Sequence, residues 1–87
     1  KMNVTVLGQV KYISKPKIVE SGNEDHSFVT MWLKTLEDSH IAINCWDGTI
    51  AKTVDFKIGE IVTLECKIES HRNKKNPTLF YHKILLK

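Results

Sequence analysis

The segment that decides the fold is His40-Ile-Ala-Ile-Asn-Cys-Trp-Asp-Gly-Thr-Ile-Ala-Lys-Thr-Val-Asp-Phe-Lys-Ile-Gly59. Its first seven residues place an apolar side chain at every second position, which is typical of a half-buried strand, and Asp47 ends that pattern. Three apolar residues then recur at helical spacing: Ile50, Val54 and Ile58. With Asp47 or Thr49 as the N-cap and Gly59 as the stop, the pattern predicts one helix of about two turns after a strand over His40–Trp46.

Two predicted strands precede this segment and two follow it, each rich in β-branched or alternating apolar residues. The five predicted strands are Asn3–Ile13, His26–Thr35, His40–Trp46, Glu60–Ser70 and Thr78–Leu86. Gly8 inside the first strand indicates a bend, Ser14–Asp25 is a polar loop or hairpin tip, and His71–Pro77 is a basic loop. This order predicts an all-β, five-stranded OB-fold barrel with one short helix between strands three and four. An SH3-like barrel or a small α+β sheet is the alternative.

The composition bounds the class of protein. With 87 residues, 41% hydrophobic and 26% charged, the chain has room for a single ordered domain, which we expect over residues 2–87. It contains no apolar run long enough to span a membrane and no secretory signal pattern. We therefore expect a cytoplasmic protein in which Cys45 and Cys66 are reduced thiols. The net charge of +3 does not by itself identify a partner.

Strand alternation assigns each side chain to the core or to the outer surface. The predicted core set is Val29, Met31, Leu33, Ile41, Ile43, Cys45, Val62, Leu64, Cys66, Ile68, Phe80, Ile84 and Leu86. The outer set on the second and third strands is Phe28, Thr30, Trp32, Lys34, His40, Ala42, Asn44 and Trp46. On the last strand, Tyr81 and Lys83 face outward. Both tryptophans are thus predicted on one outer face.

An indole ring on that face offers a stacking platform for any nucleobase, and the loops on either side are basic, as a phosphate backbone requires. The predicted nucleic-acid-binding residues are Trp32, Trp46, Phe28, Lys34, Asn44, Lys11, Lys15, Lys17, Arg72, Lys74, Lys75 and Tyr81. The alternative is that the tryptophans pack under a loop or against a partner chain, and that the lysines are merely solvated. Glu65 and Glu69 weigh against a uniformly basic groove.

The sequence contains no recognisable catalytic or metal-binding motif. It has no Cys-x-x-Cys pair, no His-x-x-x-His pair on a helix, no glycine-rich phosphate loop and no nucleophile elbow. Cys45 and Cys66 fall on inward positions, where a thiol is unreactive. We therefore expect no enzyme activity, no metal site and no cofactor.

Four stretches resemble the bacterial and phage single-stranded-DNA-binding protein family. They are Asn3-Val-Thr-Val-Leu-Gly-Gln-Val10, Phe28-Val-Thr-Met-Trp-Leu-Lys34, Ile43-Asn-Cys-Trp-Asp-Gly-Thr-Ile-Ala51 and Lys57-Ile-Gly-Glu-Ile-Val-Thr-Leu-Glu-Cys66. In this resemblance Trp46 takes the place of the family's stacking aromatic, whereas Trp32 stands where a small residue is usual and Cys66 where glycine is frequent. Members of this family carry an acidic C-terminal tail, which is not part of this sequence ending at Lys87. Two alternatives stay open: the tail has been removed, or the resemblance is to a tailless variant.

The resemblance implies single-stranded DNA binding with little sequence preference, protecting or presenting the strand in replication or recombination. RNA is an open alternative, because stacking and phosphate contacts do not sense the 2′-hydroxyl. A second alternative is a small β-barrel interaction or assembly module that binds no nucleic acid. We also expect a homodimer or homotetramer through the first strand, where Leu7 and Ile61 would form an outward apolar patch. The alternative is that Leu7 turns inward after the bend at Gly8 and that Ile61 is a single exposed residue.

Overall fold

The computed structural model describes residues 2–87, which form six strands and one short helix. The strands are β1 (Met2–Ile13), β2 (Lys17–Ser21), β3 (Glu24–Lys34), β4 (His40–Trp46), β5 (Ile61–Arg72) and β6 (Phe80–Leu86), and the 3₁₀-helix η1 (Asp47–Lys52) follows β4. The regular secondary structure is therefore almost entirely β, and the helix lies between the strands that the sequence pattern numbered three and four. The predicted fold class is confirmed.

Five of the strands close into a ring. The sheet runs β1-β5-β6-β4-β3, and β1 also pairs with β3, which completes an OB-like barrel. All the neighbouring pairs are antiparallel except β4 and β6, which pair in parallel at Ile43 and Ile84. Closure satisfies the backbone groups that an open sheet would expose at its edges.

The sixth strand, β2, lies in the segment that the sequence indicated as a loop or hairpin tip. It forms a hairpin with the first half of β3, pairing Lys17 with Phe28 and Ser21 with Glu24. The second half of β3 pairs with β1 instead. The long β3 thus belongs to the hairpin at one end and to the barrel at the other.

Gly8 marks the place where β1 changes partners. From Met2 to Gln9 the strand pairs with β5, and from Gln9 onward it pairs with β3. A Cβ on Gly8 would lie 2.9 Å from the Lys34 carbonyl oxygen, closer than real Cβ contacts, and 3.1 Å from the Leu33 Cβ, which is tighter than most of them. The absent side chain therefore lets β1 approach the end of β3 and close the ring.

The helix is shorter than the pattern predicted, and neither of its ends is formed by the predicted residues. It stops at Lys52, and Val54 and Ile58 are 71% and 64% exposed, so their helical spacing does not reflect a buried stripe. The N-cap is Trp46, which makes no side-chain cap bond, so neither Asp47 nor Thr49 has the predicted role. Gly59 does not end the helix. It occupies a turn with a φ of 93° before β5, a conformation that favours glycine.

The core is the inward face of the barrel strands. Val10, Met31, Leu33, Ile43, Cys45 and Cys66 are fully buried there. Ile50 and Phe56 pack against this cluster from η1 and the turn after it, and so cover one end of the barrel. The predicted inward sets of the second, third and fourth strands are buried or packed against the core, except that Ile68 is only half-buried.

One inward prediction is wrong. Phe80 is 57% exposed, because β5 and β6 pair as far as Arg72 and Phe80, where the hairpin extends past the barrel core. The Arg72 guanidinium carbon lies 5.3 Å from the centre of the Phe80 ring and is the contact that the ring makes instead. The basic residues His71 and Arg72 accordingly belong to β5, and the loop itself begins at Asn73.

Candidate nucleic-acid interface

The outer faces of β3 and β4 form one continuous surface. Its cross-strand pairs are Phe28 with Trp46, Thr30 with Asn44, Trp32 with Ala42 and Lys34 with His40. Because neighbouring strands lie about 4.8 Å apart, each pair acts as a single patch on the surface. The structure therefore brings together the predicted residues Phe28, Trp32, Asn44 and Trp46, with two polar side chains between two aromatic positions.

The first aromatic position is the Phe28–Trp46 pair at the end of β4. The ring centroids are 4.9 Å apart and the planes are inclined by 30°, and both residues are half-buried. Since Phe28 covers one side of the indole, a base could stack only on the part of the ring that remains open.

An ion pair holds the backbone around this position. His26 Nδ1 lies 2.9 Å from Asp47 Oδ2, and the Ser27 N–H donates to Asp47 Oδ1 at 3.0 Å. The hydrogen bond to Asp47 and the negative charge of Asp47 raise the pKa of His26. The pKa of Asp47 is lowered, mainly because its carboxylate accepts the Ser27 N–H and secondly because it hydrogen-bonds to His26. Asp47 has a φ of 45°, so this pair fixes the sharp turn that directly follows Trp46.

The second aromatic position combines the predicted Trp32 with Tyr12, which was not among the predicted binding residues. Tyr12 on β1 pairs with Trp32 on β3, and their ring centroids are 6.4 Å apart at an interplanar angle of 75°. Tyr12 is 53% exposed and Trp32 is 48% exposed. A cleft of about 680 Å³ lies beside them, and Lys11 and His40 complete its lining. Trp32 thus lies on the outer surface, as predicted.

A shallow groove connects the same surface with β6. It is lined by His40, Asn44, Tyr81 and Lys83 among others, so it joins the predicted residues Asn44 and Tyr81. The Tyr81 ring stacks on His71 at 5.3 Å, and the Lys83 Nζ lies 5.8 Å from the centre of that ring. Lys83 and His40 were assigned outward positions by alternation but were not among the predicted binding residues.

The predicted lysines in and before the first loop are exposed, whereas the predicted Lys34 at the end of β3 makes an ion pair. Lys11, Lys15 and Lys17 are exposed, and Lys11 lines the cleft beside Tyr12. Lys34 forms an ion pair with Asp38, because its Nζ lies 2.9 Å from Asp38 Oδ1. That contact lowers the pKa of Asp38. A phosphate at Lys34 would have to compete with this carboxylate, so Lys34 is a weaker candidate than the other lysines.

The second basic segment is the tip of the β5–β6 hairpin. Lys74 and Lys75 are exposed, and Arg72 lies against Phe80. The tip has a defined shape, because Asn73 Oδ1 accepts the Lys75 N–H at 2.8 Å and the Asn76 N–H at 3.1 Å. An ordered turn presents its cations with less entropy loss on binding than a flexible one.

A cleft of about 860 Å³ lies between β5 and β6 at the base of the hairpin. Met2, Ile68 and Ile84 line it together with Ser70 and His82. Ser70 Oγ and His82 Nδ1 are 2.8 Å apart and so satisfy each other. No Phe, Trp or Tyr is among the described residues that line this cleft, so the candidate stacking site remains on the β3–β4 surface.

Residues 2–87 show neither a cluster of metal-binding side chains nor an exposed cysteine thiol. Within that range, no three His, Cys, Asp or Glu side chains meet as a metal site would need. Cys45 and Cys66 are free and buried, as predicted. Burial and, to a lesser degree, the nearby Cys66 raise the pKa of Cys45 to about 11, which keeps it a thiol at neutral pH. Over the same residues, no helix is long and apolar enough to cross a membrane.

Comparisons with known proteins support the fold. No known family's sequence model matches the chain, and no curated protein matches it. Among solved structures, it is similar to the second single-stranded DNA-binding protein from Mycobacterium smegmatis, with a TM-score of 0.60 and 11% sequence identity. The match covers 100% of this chain and 79% of that one. At this identity the likeness establishes a shared OB-like fold.

Proposed function

We propose that this protein binds single-stranded DNA with little sequence preference, and that it protects or presents the strand during replication or recombination in the cytoplasm. The observation that carries the proposal is the outer face of β3 and β4, where Phe28, Trp32 and Trp46 lie together and Tyr12 joins them from β1. Every base has a flat face, so stacking on these rings tolerates any sequence. The role is one of binding, without catalysis.

Charge and fold also support this assignment. Exposed lysines border the face on the β1 side, and the β5–β6 hairpin carries Arg72, Lys74 and Lys75. Neutralising phosphates with such cations releases condensed counterions, which drives binding and makes it sensitive to salt. The solved structure of similar fold is that of a protein that binds single-stranded DNA. RNA would use the same contacts, and a comparison of dT and rU oligonucleotides decides between them.

The test is a fluorescence titration of the intact protein with oligo(dT), oligo(rU) and duplex DNA at two salt concentrations. We expect tryptophan emission to fall with oligo(dT), and added salt to reverse the change. Binding of labelled oligo(dT) should weaken by about 1–3 kcal/mol, or roughly 5- to 150-fold, in Trp46→Ala and somewhat less in Trp32→Ala. Val54→Ala is the matched control, since Val54 is exposed outside the aromatic surface.

If both tryptophan variants fold normally and bind oligo(dT) like the parent, the stacking face is refuted. If the tryptophan emission of the parent does not change at high micromolar oligonucleotide, the protein-interaction module becomes the better assignment.

A separate observation favours the protein-interaction module as the second candidate function. Leu7 and Ile61 are 43% and 62% exposed and line a groove with Leu36, which is 83% exposed. An apolar patch of this kind is typical of a protein contact.

A further inference from the structure

We propose that Tyr12 and Trp32 form a second stacking position, separate from Phe28–Trp46, and that one DNA strand occupies both. The inference rests on the proposed function and deepens it, since it names an unassigned binding residue, Tyr12, and a minimum length of strand. β1 contains a backbone irregularity between Val10 and Tyr12 that the sequence pattern did not reveal.

A β-bulge at Lys11 places Tyr12 on the outer surface. Val10 pairs with Leu33, and after one extra residue Tyr12 pairs with Trp32. Unbroken alternation from the buried Val10 would turn Tyr12 inward, opposite Met31. The bulge reverses the alternation, so that Tyr12 lies outside and Ile13 packs against the core. Bulges commonly re-aim a side chain in this way.

The two rings form a corner that is open to solvent. At an interplanar angle of 75° the edge of one ring meets the face of the other, and about half of each side chain remains exposed. A base stacked on one ring would place its edge against the second ring. The exposed Lys11 lines the same cleft, which gives a cation beside the rings for the phosphate of that nucleotide. This pairing of ring and charge matches a nucleotide better than an uncharged apolar segment.

The distance between the two positions sets the length of strand that fills both. Trp32 and Phe28 are four residues apart on β3, which corresponds to about 13 Å along the strand. Stacked bases are separated by about 3.4 Å, so a stacked strand reaching from one position to the other has about five nucleotides. Thr30 and Asn44, whose side chains hydrogen-bond at 3.4 Å, lie between the two positions.

The experiment measures the affinity of the parent and of Tyr12→Ala for labelled oligo(dT) of two to ten nucleotides. The parent should gain affinity sharply between about three and six nucleotides, when both positions fill. Tyr12→Ala should bind dT8 at least about 5-fold more weakly, yet bind dT3, which the Phe28–Trp46 position still accepts, nearly as well as the parent. Tyr12→Phe should behave like the parent, and Tyr12→Leu, which keeps an apolar side chain, should behave like Tyr12→Ala.

A second readout does not depend on the affinity of a Tyr12 variant. In Trp46→Phe, Trp32 is the remaining tryptophan, and dT8 should quench its emission. The inference is overturned if that emission does not change on binding, or if Tyr12→Leu binds dT8 like the parent while Trp46→Ala is impaired. In the latter case the proposed function stands. A parent that binds no oligonucleotide refutes both.

Discussion

Removing the cations of the β5–β6 hairpin should reduce the salt dependence of strand binding. The change is the triple replacement of Arg72, Lys74 and Lys75 by Ala. Each phosphate contact contributes about 0.7 to the slope of log K against log salt for a single strand, so three lost contacts flatten it by about 2. Between 50 and 200 mM salt, the parent should therefore lose about 16-fold more affinity than the variant.

The structure indicates that the variant will fold. The three side chains are exposed at the end of a hairpin that extends past the core, and the turn is held by Asn73 and Asn76, which remain. Surface substitutions of this kind change stability by about 0.5 kcal/mol or less. Thermal unfolding of parent and variant checks this directly.

Net charge needs a matched control, because the triple variant falls from +3 to 0, the three lost cations accounting for the difference. Replacing Lys52, Lys57 and Lys87 by Ala gives the same net charge, and none of these three lysines lines the clefts beside the aromatic surface.

The measurement is a set of fluorescence titrations with oligo(dT) at several salt concentrations. A flattened slope in the hairpin variant alone supports the argument. An unchanged slope means that the hairpin points away from the strand, and leaves the lysines near β1 as the phosphate contacts.

Three further predictions concern Gly8, the His26–Asp47 pair and the exposed Leu7. Gly8→Ala should lower the free energy of unfolding by about 1–3 kcal/mol in chemical denaturation, because its Cβ would meet backbone at 2.9 Å, whereas Gly48→Ala, which meets nothing within 4 Å, should cost far less. NMR titration should place the pKa of His26 above its ordinary value, and Asp47→Asn should bring it down. The contribution of the His26–Asp47 ion pair to the free energy of unfolding is lost as pH falls through the lowered pKa of Asp47 or rises through the raised pKa of His26. This contribution is therefore greatest between about pH 4 and 6.5. Sedimentation equilibrium should show a homodimer that Leu7→Lys disrupts; a monomeric parent would contradict this, and a dimeric variant would move the interface elsewhere.

The sequence alone determined which residues face the core in strands that have one buried face and one exposed face. The bounds of β4 are those predicted, and Met31, Leu33, Ile43 and Cys45 are fully buried, as alternation required. A strand with one buried face must place an apolar side chain at every second position, and that period can be read without knowing its partners. The outward placement of Trp32 followed from the same rule.

Only the tertiary structure decided what happens where the sheet departs from that regular pattern. The bulge at Lys11 turned Tyr12 outward, and the extension of the hairpin past the barrel left Phe80 exposed. The helix ended at Lys52, and of the apolar residues after it Phe56 packs against the core while Val54 and Ile58 stay exposed, so their helical spacing did not correspond to a buried face. Alternation reports the side of the sheet on which a residue lies, but only while the hydrogen-bonded ladder is unbroken and a core covers one face. Register shifts and the reach of the core depend on contacts between residues far apart in the chain, which periodicity does not encode.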